Sequence, residues 1–202
     1  MQCGKGFMEG TTIGTSAAAD LARRVLGKRN LVLVGLMGAG KSAIGKLVAS
    51  EMGIPFIDSD HEIERVSRMT IPELFEKYGE PEFRKLENRV ITRLLRTGPR
   101  VLSTGGGAFM NGDTRASIQS SGLSLWLDAD LETLWERVIK RDNRPLLKTE
   151  NPRQTLENLM IARYPTYAQA DLTVKSRDEK KDVIASEVIG AVAALANESG
   201  NE

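Results

Sequence analysis

Short unbroken apolar runs alternate along this chain with longer stretches in which apolar residues recur every three or four positions. The runs Leu31–Val34, Pro55–Ile57, Val101–Ser103, Leu123–Leu127 and Leu172–Val174 have the look of strands buried on both faces. Helical spacing predicts helices over Lys41–Met52, Pro81–Arg96, Leu131–Lys140, Pro152–Ala168 and Lys180–Leu195. The pattern is clearest from Pro81 onward, where Phe83, Leu86, Val90, Ile91, Leu94 and Leu95 share one face and proline suits the first turn. Alternating strands and helices predict an α/β fold, a parallel sheet covered on both faces, with ligands at the carboxyl ends of the strands.

The ends read differently. Residues 1–29 carry four glycines before Thr15 and a basic cluster at Arg23, Arg24, Lys28 and Arg29. They are expected to form a flexible extension with one or two helical turns near Ala17–Leu26, leaving a targeting or docking role open. No secretory apolar segment is present there. Residues 30–196 then form the single domain, and 197–202 a frayed tail.

Composition narrows the function. With 202 residues, the chain is long enough to bury a core without staples. Twenty-eight basic against 27 acidic side chains leave a net charge of +1, which argues against bulk nucleic-acid binding. No apolar run is long enough to span a membrane. One cysteine, Cys3, and one histidine, His61, exclude a disulfide framework and a Cys/His zinc cluster. The expectation is a cytoplasmic monomer.

The strongest chemical signal follows the first strand, where Gly35-Leu36-Met37-Gly38-Ala39-Gly40-Lys41-Ser42 leads into a helix. This is the phosphate-binding pattern G-x-x-x-x-G-K-S in its required strand–loop–helix setting. Glycines let successive backbone N–H groups turn inward, and the helix N-terminus adds partial positive charge. Lys41 is placed to reach the β- and γ-phosphates, and the Ser42 hydroxyl to ligate Mg²⁺.

Other residues bear on what the phosphate is for. Asp58 and Asp60 lie two apart just beyond the strand ending at Ile57. In extended chain they would face one way, one serving Mg²⁺ and the other taking a proton. The competing reading is a plain turn with Asp60 capping the next helix. Asp128, also an acid directly after an apolar strand, is a second candidate for metal but reads better as a strand-end turn residue, with Asp130 the cap of the following helix. Arg84 and Glu87 can pair at i,i+3, either as a surface ion pair or as an arginine oriented to grip a carboxylate. Gly105-Gly106-Gly107 suits close approach of backbone N–H groups to a ligand. Arg137, Arg141 and Arg144 would line one helical face, a candidate arginine lid beside the phosphate loop.

Together these residues resemble the shikimate kinase family over about Asn30 to Leu195, in the order Gly35–Ser42, Asp58-Ser59-Asp60, Phe83-Arg84 with Glu87, Gly105–Gly107, Arg144-Pro145-Leu146-Leu147 and Arg163. The resemblance implies five parallel strands in the order 2-3-1-4-5. It also implies ATP- and Mg²⁺-dependent phosphorylation of the 3-hydroxyl of shikimate, on the route to chorismate and the aromatic amino acids. Asp60, Arg84, Gly106 and Arg163 would hold shikimate, the two arginines taking its carboxylate. Asp60 would be the base, with Lys41 and Arg144 acting on the transferring phosphoryl group. Gly38, Ala39, Gly40, Lys41, Ser42, Ala43, Arg137, Arg144 and Arg177 would contact the nucleotide, and Asp58 would reach Mg²⁺ through water beside Ser42. The substrate-binding part would span about 59–87 and the lid about 139–151.

Ala43 departs from the family, many members of which carry threonine there; somewhat weaker nucleotide affinity is expected. Another kinase of this fold, such as a gluconate kinase, would share the loop and the lid. A guanine-nucleotide switch would need an Asn-Lys-x-Asp run, which is absent. A dead scaffold would have no need of Lys41, Ser42, Asp58, Asp60 and Arg144 together.

Overall fold

The computed structural model describes residues 12–140, 147 and 149–198. Strand β1 (Asn30–Val34), buried throughout, is the middle of a five-stranded sheet. It lies between β3 (Val101–Ser103) and β4 (Gly122–Asp128), also fully buried. The half-exposed β2 (Phe56–Asp58) and β5 (Leu172–Lys175) form the edges. The order is β2-β3-β1-β4-β5 with every pair parallel, as the resemblance implied. The second strand runs one residue later than its apolar run, because Pro55 has no N–H and contributes only its carbonyl, which accepts from Val101.

Helix α1 (Thr12–Leu26) precedes the sheet and packs on α8 (Lys181–Glu198) and α2 (Lys41–Met52). This corrects the expectation of a loose extension with a turn or two. The alanines that looked nondescript, Ala19 and Ala22, are buried with Leu26, and their small size lets two helices approach closely. Residues 1–11 and 199–202 lie outside the described residues, so the order expected for those parts of the ends is not addressed. Helix α2 presses on the sheet at Gly45, where a Cβ would stand 2.8 Å from the Phe56 ring and 2.9 Å from Leu33 Cδ1.

The spacing missed three further features. Helix α3 (Ser59–Ser67) starts directly at the end of β2, and its run of charged residues hides the buried Ile63. Helix α4 (Ile71–Leu95) begins ten residues before Pro81, with Thr70 and Glu73 forming a capping box. Gly79, at φ 76°, kinks it, and the Gly79–Pro81 stretch reads as a helix start when it is the bend within a longer helix. Helix α5 (Gly112–Ser121) buries little beyond Ile118. Helices α6 (Leu131–Val138) and α7 (Pro152–Tyr167) fall where expected, but α6 ends two residues early. Arg141 and Arg144, with most of the expected lid, lie outside the described residues.

Candidate active site

The phosphate loop is built by backbone that only glycine adopts readily: Gly38 and Gly40 have φ of 87° and 94°. Lys41 opens α2 and folds back over the loop, its ammonium donating to the carbonyls of Gly35 at 2.7 Å and Leu36 at 3.0 Å. The far side of the loop is pinned from α6 and β5. Arg137 donates to Gly38 O at 3.2 Å, Ser176 Oγ at 2.9 Å and Arg177 O at 2.6 Å, and Ser176 Oγ donates to Ala39 O at 2.8 Å. The Arg177 guanidinium pairs with Glu187. Ala43 is the third residue of α2, partly exposed. Asp128 behaves as the turn residue expected of it, pairing with Lys175 while its carbonyl accepts from Ser176.

The two aspartates do not share a face, because the chain becomes helical at Ser59. Asp58, not Asp60, is the cap of α3: its Oδ1 accepts from Asp60 N at 3.0 Å. Its Oδ2 accepts from Ser42 Oγ at 2.6 Å, and Ser103 Oγ lies 3.3 Å from the same hydroxyl. Asp60, in the first turn, lines a neighbouring cavity of about 280 Å³ with Arg84, Glu87, Arg163 and the three glycines. Ile71, Phe75 and Phe83 form its apolar wall, and His61 and Glu64 stand on its border.

Arg84 is held from two sides, by Glu87 Oε2 at 2.7 Å and Glu80 Oε1 at 2.9 Å. The pair is no surface bridge, since Glu87 is only 1% exposed. Burial pushes the Glu87 carboxyl above its ordinary value, the Arg84 guanidinium pulls it back, and Asp60 adds to the rise. Glu87 Oε1 has no hydrogen-bond partner among the described residues. The glycine triplet has a steric reason beyond backbone approach. A Cβ at Gly105 would come within 2.8 Å of both the Asp60 and Glu87 carboxylates, and one at Gly107 within 2.6 Å of Arg84 Cζ. On α7, Arg163 donates to Gly106 O at 3.1 Å. The cavity and the phosphate loop adjoin at Gly106, where a Cβ would lie 3.3 Å from Met37 N.

Sequence reasoning passed over Ser103, Ser176 and Tyr167. Ser103 ends β3 and Ser176 directly follows β5, so a buried serine at a strand's carboxyl end was an available signal. Tyr167, four residues after Arg163, had none beyond helical spacing.

A family model described as shikimate kinase matches residues 37–193. The shikimate kinase of Rhizobium leguminosarum bv. trifolii is 71% identical over 180 residues, covering 89% of this chain and 92% of that protein. That of Rhizobium meliloti is 66% identical over 179 residues, covering 89% and 93%. The solved shikimate kinase of Acinetobacter baumannii, in complex with shikimate, superposes with a TM-score of 0.80 at 35% identity, covering 90% of this chain and 99% of that one.

Proposed function

The chain belongs to the shikimate kinase family, and from that premise we propose how its residues divide the work of the reaction. The enzyme transfers the γ-phosphoryl group of ATP to the 3-hydroxyl of shikimate, giving shikimate 3-phosphate and ADP on the route to the aromatic amino acids. The observation that carries the assignment of roles is the cavity itself: the Asp60 and Glu87 carboxylates, two arginines and a glycine triplet gathered against the phosphate loop.

Arg84 and Arg163 take the shikimate carboxylate, planar donors matched to a planar acceptor. Glu87 and Glu80 hold the Arg84 guanidinium in place, so little side-chain freedom is left to lose on binding. Gly106 and Asp60 contact the ring hydroxyls. Asp60 accepts the proton of the attacking 3-hydroxyl as its oxygen bonds to phosphorus and the bond to ADP breaks. Lys41 and the loop amides of Gly38, Ala39, Gly40, Ser42 and Ala43 stabilise the charge on the phosphate oxygens. Arg137, anchored as described, offers its flat face to the adenine, with Arg177 nearby. Arg144, outside the described residues, is the lid arginine of this proposal.

Ser42 and Asp58 form an all-oxygen pair that suits Mg²⁺, with Ser103 supporting the serine. Bound there, the ion supplies charge neutralisation for the β- and γ-phosphates. We further place the enzyme in the cytoplasm as a monomer without nucleic-acid or membrane partners. Its near-neutral charge agrees with this, and among the described residues no helix is long and apolar enough to cross a membrane.

ADP release from Mg-ATP by the purified protein tests the assignment. Release is expected with shikimate, and not with gluconate or a nucleoside monophosphate; release independent of any acceptor would contradict it. The packing at Gly107 adds a second expectation. Gly107→Ala displaces the Arg84 guanidinium and raises KM for shikimate about tenfold, the equivalent of ~1.4 kcal/mol. Its KM for ATP stays unchanged, because the methyl group meets Arg84 and not the phosphate loop. Equal KM values for shikimate in the two enzymes would remove the steric explanation.

A further inference from the structure

The Gly106 carbonyl carries two donors. Arg163 Nη1 is one, and the Tyr167 hydroxyl, one turn further along α7, is the other. Tyr167 is 1% exposed. Its ring faces those of Phe109 and Trp126 at interplanar angles of 16° and 25°, with centroids 6.4 Å and 6.1 Å away, so packing fixes where the hydroxyl points. Burial pushes the phenol up to about 12, with the Arg163 guanidinium pulling the other way, and it stays protonated at any working pH. Tyr164, three residues earlier in the same aromatic group, donates instead to Ala129 O beyond β4.

We propose that Tyr167 is a positioning residue for the acceptor, holding the Gly106–Gly107 peptide and, through the shared carbonyl, the Arg163 guanidinium. The peptide is planar, so a carbonyl pinned by the phenol also orients the Gly107 N–H. The hydroxyl is not needed to fill space, because phenylalanine occupies the same volume against Phe109 and Trp126. Its loss leaves no orphan either, since Gly106 O keeps Arg163 as a partner. What is lost is the second point of attachment that sets the peptide's angle. The proposal rests on Arg163 and Gly106 contacting shikimate.

Steady-state kinetics of Tyr167→Phe, Tyr164→Phe, Arg163→Gln and the Tyr167→Phe/Arg163→Gln double variant test it, with melting temperatures alongside. Tyr167→Phe is expected to raise KM for shikimate about tenfold, while kcat and KM for ATP stay within about twofold. Tyr164→Phe, which removes the same kind of bond, phenol to backbone carbonyl, from the same helix, leaves KM for shikimate unchanged while lowering the melting temperature. The double variant exceeds Arg163→Gln by much less than tenfold, as coupled residues do. An unchanged shikimate KM in Tyr167→Phe beside a raised one in Arg163→Gln overturns the positioning role and leaves the carboxylate assignment standing. So does an equal rise in Tyr164→Phe, or full multiplication in the double variant. A normal shikimate KM in Arg163→Gln rejects the carboxylate assignment, and the proposal with it.

Discussion

Asp60→Asn lowers kcat by about 10²–10³ while KM for shikimate and ATP change only a few-fold. The amide keeps the size of the carboxylate and can still hydrogen-bond a ring hydroxyl, so binding survives; it cannot take a proton, so transfer does not. The fold also survives, because the residue that caps α3 is Asp58, and the Asp60 N–H that it accepts belongs to the backbone. The kinetic split is therefore diagnostic. A variant retaining more than a tenth of wild-type kcat would exclude Asp60 as the base and leave positioning and charge as the whole of catalysis, which a loose phosphoryl-transfer transition state permits. Asp58→Asn makes the informative contrast: it loosens the cap and the contact to Ser42 together, and its defect should shift with Mg²⁺ concentration where that of Asp60→Asn does not.

Arg84→Ala has the larger effect on binding, raising KM for shikimate by roughly 10²-fold or more through loss of a charge-assisted, forked contact. It also acts on stability. Glu87 is almost wholly buried and Arg84 is its principal partner, so the truncation strands a carboxylate in the interior at a cost of about 3 kcal/mol. The pH dependence has a definite sign. Burial already raises the Glu87 carboxyl above its ordinary 4.5, and removing the guanidinium raises it further. The folded state then holds a proton that the unfolded chain has released. The penalty is absent below the unfolded value and grows as pH rises from there towards the folded one. Thermal melting should accordingly show Arg84→Ala closest to wild type in mild acid and furthest from it at neutral pH. Adding Glu87→Gln recovers stability at neutral pH without restoring shikimate affinity. If the single variant melts like the wild type across that range, the pair contributes no buried electrostatic penalty.

The strands and the phosphate loop were legible because each is local. Leu31–Val34 announces a buried strand by composition, and Gly35–Ser42 must turn as it does whatever surrounds it. Helices α3 and α5 were not legible, since they bury one or two residues each and their charged or small side chains give no periodic stripe. The first half of α4 was hidden by Gly79 and Pro81, which usually end helices and here only bend one. The role of α1 depends on a partner some 160 residues away in the chain, α8, so nothing local to Ala19 and Ala22 could disclose it.

The site divides in the same way. The chain alone determined which chemical groups were available and, through the ordered motifs, which family they resemble. It could not determine what each group touches. Extended geometry put Asp58 and Asp60 on one side, but the immediate start of α3 separates them, one to Ser42 and the other to the acceptor cavity. Spacing allowed Arg84–Glu87 to be an exposed bridge, and packing made it a buried clamp. The glycine triplet suggested room for a ligand's approach. The fold adds that Asp60, Glu87 and Arg84 already occupy the space their side chains would fill. Motifs follow from bond geometry over a few residues, whereas the partners of a side chain are set by which distant segments the sheet order brings together.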